Sequence, residues 1–134
     1  MDGEQEMQKL LLTLMLVLIS TSAMAEWVEV AESEAGTFIA YVESTTIQKT
    51  DNIVHMLVLI DYKTAQTDAS KPYMSKLGIR KYDCKEKQNQ ADIKTLYSNN
   101  MGRGKHVGII GSRPWLPVST GNTTELLWKF ACRK

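Results

Sequence analysis

Two cysteines, Cys84 and Cys132, stand 48 positions apart in a chain that opens with an apolar leader, and together they limit the fold more than any other feature. Lys9 precedes the run Leu10 to Ile19, which breaks at Ser20 and leads into Ala23-Met24-Ala25, a small-x-small cleavage pattern. The run is half the length of the roughly 20 residues that a membrane-spanning helix needs. Residues 1–25 therefore read as a secretory signal peptide and residues 26–134 as a single exported domain. Asp2, Glu4 and Glu6 sit badly in a segment that should be basic, so Met7 is the expected true start. Export carries both cysteines into an oxidising compartment, where an even count points to a disulfide. A reactive free thiol would want a CxxC or Cys/His partner, and zinc would want closer ligands; the sequence offers neither. Closing so long a loop stabilises a fold by about 4 kcal/mol in the chain-entropy picture. That is a large share of a typical stability of roughly 5–15 kcal/mol.

Around the cysteines the pattern is mostly β. Residues 26–33 alternate Trp27, Glu29 and Ala31 against Val28 and Val30, and residues 36–44 carry Phe38, Ile39, Tyr41 and Val42, a hairpin partner. Ile53 to Ile60 is apolar on both faces, which predicts a central strand covered on both sides; Asp51-Asn52 suits the turn before it. Residues 68–75, with Pro72 and small polar side chains, read as a loop. An extended pattern resumes over 76–88, with Tyr82 and Cys84 on one face and Lys81, Asp83, Lys85 and Lys87 on a wet one. Residues 91–99 and 105–111 are further strands. One helix is clear: Asn122-Thr123-Thr124-Glu125 has the capping-box pattern, and Leu127, Phe130 and Ala131 follow at i, i+3, i+4. Arg133 and Lys134 suit the negative end of its dipole. The same Asn122 opens a glycosylation sequon, but the cap is the preferred reading. With Cys132 ending the helix and Cys84 on a strand, a disulfide would pin helix to sheet.

Charge excludes one partner class and suggests another. Without the leader the chain holds 15 basic and 12 acidic groups, a net +3, too little to imply nucleic acid. Residues 26–62 hold seven acids and one lysine, whereas residues 63–105 hold ten basic groups and four acids. Such halves either pair across neighbouring strands or mark a partner surface. The glycine-rich stretch Ser98 to Ser112 resembles a phosphate cradle, but Gly104-Lys105 is followed by His106 rather than Ser or Thr, and β-forming residues follow. From Gly102 the glycine spacing is GxGxxxG, not the dinucleotide fingerprint. Asn-Gly chemistry suited to positive φ makes it a hairpin connection. His55 in its apolar strand reads as half-buried, His106 as exposed, and Trp27, Trp115 and Trp128 as core packing. No cofactor or metal pattern appears.

The segments Tyr82-Asp83-Cys84, Tyr97 to Gly104 with Met101-Gly102, Trp115 with Pro117-Val118, and Cys132 resemble the surface-adhesin protein E family of Gram-negative bacteria, over most of residues 27–132. The resemblance implies an α+β fold: a curved antiparallel sheet of about six strands, with a C-terminal helix packed on it and tethered by Cys84 and Cys132. It also implies exported, non-enzymatic proteins, the namesake adhering to host extracellular-matrix proteins. Residues 1–26 contain no cysteine to carry a lipid anchor, so a periplasmic or secreted protein is expected. The expected partner is a host matrix or envelope protein or a polyanion, met by Lys81, Lys85 and Lys87, with Arg103 and Lys105 extending the surface. Exposed strand edges leave a homodimer open. The alternative is a periplasmic enzyme inhibitor or a small envelope enzyme, which would need His55 or His106 beside a carboxylate such as Asp61.

Overall fold

The computed structural model describes Gln8 and residues 25–133; the leader reading, the start at Met7 and Lys134 lie outside the described residues. Strands β1 (Trp27–Glu32), β2 (Phe38–Glu43), β3 (Gln48–Thr50), β4 (Ile53–Asp68), β5 (Lys71–Asp83), β6 (Gln88–Tyr97), β7 (His106–Ile110) and β8 (Leu116–Pro117) precede helix α1 (Thr123–Ala131). They form one antiparallel sheet in the order β1-β2-β4-β5-β6-β7, with β3 beside β4 and β8 beside β6. Each neighbour in the main path is the next long strand in the chain, so the whole sheet is a meander built from hairpins.

The apolar run predicted as central is central. In β4, Val54, Met56, Val58 and Ile60 face one side and are buried with Ala31, Ala40, Val42 and Tyr82 against Leu127 and Ala131 of α1. The opposite face of β4 buries Leu59 beneath the connection between β6 and β7. β2 and β3 lie along the same side of β4 as one interrupted strand, because β2 pairs with residues 58–62 and β3 with 53–55. A single 3-10 turn at Ser44–Thr46 makes the break.

The segment read as a loop is instead the longest hairpin of the fold. β4 runs to Asp68 and β5 starts at Lys71, leaving only Ala69 and Ser70, both at positive φ, as the turn. Pro72 is tolerated because β6 reaches no further than Ser75 opposite β5. There β5 has a neighbour on the β4 side alone, so a missing N–H is harmless, as on an edge strand. A second correction concerns residues 84–87. They form the β5–β6 turn rather than more strand, so Cys84, Lys85 and Lys87 follow the ladder instead of extending it. Trp115 is also not core; it is 37% exposed.

Helix α1 begins as its sequence implies. The Asn122 side chain accepts the Glu125 N–H at 3.1 Å, while the Glu125 carboxylate takes the Gly121 N–H instead of that of Asn122. Cys84 and Cys132 are bonded, with Cα atoms 5.5 Å apart. Trp128 adds a second tie beside the bond, its indole N–H donating to the Asp83 carbonyl at 3.0 Å. Helix, disulfide and this hydrogen bond all meet at the β5–β6 end of the sheet. No helix among the described residues is long and apolar enough to cross a membrane.

Candidate functional site

The basic residues singled out from the sequence are not brought together. Lys81 faces the side of β5 opposite Tyr82, between His55 and Gln90. Lys85 and Lys87 lie in the β5–β6 turn, whereas Arg103 and Lys105 lie in the β6–β7 connection. The two ends are separated by the paired length from Ser75 to Asp83, roughly 26 Å of strand. Lys87 is already engaged. Its ammonium is 3.2 Å from the Glu125 carboxylate and 5.2 Å from the centre of the Trp128 ring. Lys63 pairs with Glu32, the one ion pair among the described residues that joins the acidic first part of the chain to the basic middle.

The glycine-rich stretch is a hairpin connection with a definite task. One backbone N–H and one side-chain amide of the connection do meet an anion there, and the anion is the protein's own. The Asp61 carboxylate accepts the Met101 N–H at 2.9 Å and the Asn100 side-chain amide at 2.9 Å. Ser75 completes the lock: its hydroxyl donates to the Asn99 carbonyl at 2.6 Å and accepts the Gly102 N–H at 2.9 Å. Met101 and Gly102 both take positive φ, folding the loop over Leu59. Among the described residues no hydrogen bond joins Asp61 to either histidine. His55 lines an open hollow of about 410 Å³ with Gln48, Leu57 and Ile79, and His106 stands edge-on to the Tyr97 ring.

A different basic group does converge, on the face of the sheet that carries α1. Beyond the helix, where β5 and β6 continue uncovered by it, Lys76 and Arg80 of β5, Lys94 of β6 and Arg113 line a hollow of two adjoining lobes that share Arg80 and Lys94. One is floored by Val58, Ile60 and Gly78; the other, of about 160 Å³, is walled by Asn89, Ala91, Pro114 and Leu116. Strand alternation explains the first pair, since 76, 78, 80 and 82 share a face and Tyr82 is fully buried against the core. Lys94 needs a β-bulge. Between the pairs Gly78–Lys94 and Arg80–Ala91, β6 spends Asp92 and Ile93 opposite Ile79 alone. The extra residue switches the faces of β6, turning Lys94 inward and leaving Ile93 56% exposed. Gly78 permits the bulge: a Cβ there would sit 2.7 Å from the Ile93 carbonyl oxygen. Arg113 arrives because its N–H bonds the Ala91 carbonyl at 2.9 Å, laying the segment after β7 along β6.

Four cations around one hollow perturb each other. Burial, then repulsion from Arg80 and Arg113, lowers the Lys76 ammonium to about 8. Lys94 is 9% exposed. Burial, then repulsion from Arg80, Lys76 and Arg113, lowers it likewise to about 8. Lys76 also lies 5.7 Å from the centre of the Tyr62 ring. Among the described residues no carboxylate forms an ion pair with any of the four. An uncompensated cluster of this kind lowers stability and suits the capture of a negatively charged group. Among the described residues no three His, Cys, Asp or Glu side chains gather as metal ligands.

The fold is an open antiparallel meander with one tethered C-terminal helix, the uncovered part of its helix-bearing face carrying four clustered cations. The sequence matches the family described as Surface-adhesin protein E over residues 27–133, and the chain belongs to that family. Its fold is that of Haemophilus influenzae protein E. One structure of that protein aligns with a TM-score of 0.62 at 13% identity, covering 84% of this chain and 87% of the other. A second crystal form aligns with a TM-score of 0.58 at 13% identity, covering 81% and 96%. No curated protein sequence matches this chain. Family membership makes it an adhesin-like protein.

Proposed function

We propose that the chain is an exported, non-enzymatic binding protein that attaches to an acidic partner of the host matrix or the cell envelope through the hollow formed by Lys76, Arg80, Lys94 and Arg113. The observation that carries this reading is the absence of any ion-paired carboxylate at those four side chains among the described residues. A carboxylate- or sulfate-bearing chain laid across β5 and β6 would supply the missing charge. It would also restore the two lysines toward their ordinary titration range. The membership in an adhesin family agrees with this reading. A relative named protein E shares the fold, but at 13% identity it lends no ligand residue.

Retention on immobilised heparin, used as a model polyanion, tests the idea. Binding at 50 mM salt is expected to weaken steeply toward 500 mM, because exposed charge attraction is screened over about 10 Å at 0.1 M and about 3 Å at 1 M. The double variant Arg80→Glu, Lys94→Glu is expected to lose about 100-fold in affinity. Unchanged retention by that variant, or none by the parent at low salt, would overturn the assignment of this hollow.

A further inference from the structure

Glu43 is an isolated acid in an unusual place. It is 4% exposed, at the corner where β2 gives way to the 3-10 turn. One carboxylate oxygen accepts the Glu26 N–H at 2.9 Å and the Thr45 N–H at 3.3 Å, and the other accepts the Thr45 hydroxyl. The Thr45 hydroxyl bond is the leading reason its carboxyl is held below the usual range. No cation among the described residues pairs with it. Glu26 is fixed to the same corner from its other side, since its carbonyl accepts the Ser44 N–H at 2.9 Å and its carboxylate the Ser44 hydroxyl.

Glu26 is also the residue that follows Ala23-Met24-Ala25. Hydrolysis of the Ala25–Glu26 peptide bond adds one water: the hydroxyl goes to the Ala25 carbonyl carbon and a proton to the Glu26 nitrogen. At neutral pH that amine takes a further proton and becomes an ammonium. The atom that had offered one amide N–H to Glu43 then carries a full charge and three donors in the same position. Charge-assisted hydrogen bonds are about twice as strong as neutral ones, and the carboxylate that receives this one is already oriented by the two Thr45 bonds.

We infer that Glu43 is a receptor for the α-ammonium group created by leader removal, so that processing after Ala25 switches on an ion pair fastening the new N-terminus to the β2 corner. The unprocessed chain has only the neutral hydrogen bond. It is the less stable form, which suits a chain that has to stay unfolded until it has crossed a membrane. The proposal rests on the cleavage reading and is independent of the cationic hollow.

The exported protein is purified, its N-terminus is read by mass, and its α-amine is then selectively acetylated, which removes the charge but keeps an N–H donor. The mature chain is expected to begin at Glu26, and acetylation to lower its thermal midpoint by about 4–8 °C. Glu43→Gln is expected to abolish that difference. A different first residue, an unchanged midpoint on acetylation, or a difference that persists in Glu43→Gln overturns the proposal. Should Glu43→Gln fail to accumulate, acylation rates of the α-amine in folded and urea-unfolded parent protein decide: about tenfold slower when folded is expected, and equal rates refute it.

Discussion

The β5–β6 turn and the hollow on the helix-bearing face are both basic, yet the protein treats them in opposite ways. At the turn, Lys87 meets Glu125 and the Trp128 ring, groups delivered by α1 as it docks. In the hollow, Lys76, Arg80, Lys94 and Arg113 meet one another. Positive charge that folds together with its counter-charge is structural. Positive charge held without one is available to a partner and lowers stability in the meantime, the usual tension between function and stability. Counting lysines along the chain cannot separate the two cases, because Glu125 lies 38 positions from Lys87.

The strongest way to break this contrast is to undock the helix. Replacing both Cys84 and Cys132 by Ser is expected to remove about 2–4 kcal/mol and lower the thermal midpoint by roughly 10–20 °C. It should also free Lys87, so heparin retention gains a contribution from the turn that the parent lacks; calorimetry and salt-gradient elution read the two effects. Gly78→Ala acts on the hollow alone. The new Cβ would press on the Ile93 carbonyl, with an expected loss of about 1–3 kcal/mol by overpacking, seen in urea unfolding, and weaker heparin retention as the bulge shifts.

Neutralising one lysine on each side sharpens the comparison. Lys94→Met is expected to stabilise the protein by about 1–2 kcal/mol, because an ammonium disfavoured by burial and repulsion is removed, while heparin affinity falls about tenfold. Lys87→Met should do the reverse, lowering the midpoint slightly with affinity unchanged. The smallest effect is the pH profile. Lys76 and Lys94 titrate near 8 when folded against 10.5 ordinarily, so between those values the unfolded chain binds more protons and stability rises with pH. On the acid side, Glu43, through its Thr45 hydroxyl bond, and Glu125, through its bond from Lys87, are held below the ordinary 4.5. Their contribution is complete above that value and is lost as pH falls through their folded values. Thermal midpoints across pH 3–11 check both limbs, and saturating heparin should flatten the alkaline one.

Half of the hollow was legible in the sequence. Once residues 76–83 are taken as a strand with Tyr82 inward, alternation places Arg80, Gly78 and Lys76 on the same face, and the run Lys-Leu-Gly-Ile-Arg carries that signal. The denser run of lysines, Lys81, Lys85 and Lys87, lies on the wetter side of the pattern and masks that signal. Lys94 was not legible, because a bulge reverses alternation at a point set by how β5 and β6 meet, and Arg113 was not, because a backbone bond to Ala91 brings it in from a distant irregular segment. The long β4–β5 hairpin was hidden by Pro72, whose harmlessness depends on where β6 ends.

By itself the sequence determined the local matters: β periodicity, the centrality of residues 53–60, the Asn122 cap, a paired Cys84 and Cys132, and a hairpin in place of a phosphate loop. These follow from backbone preference and residue chemistry within a few positions. Tertiary structure decided which charges are compensated, since an ion pair depends on distance in space rather than along the chain. It also decided that the glycine-rich connection is locked by Asp61 and Ser75, and that Glu43 waits, buried, beside the nitrogen of Glu26.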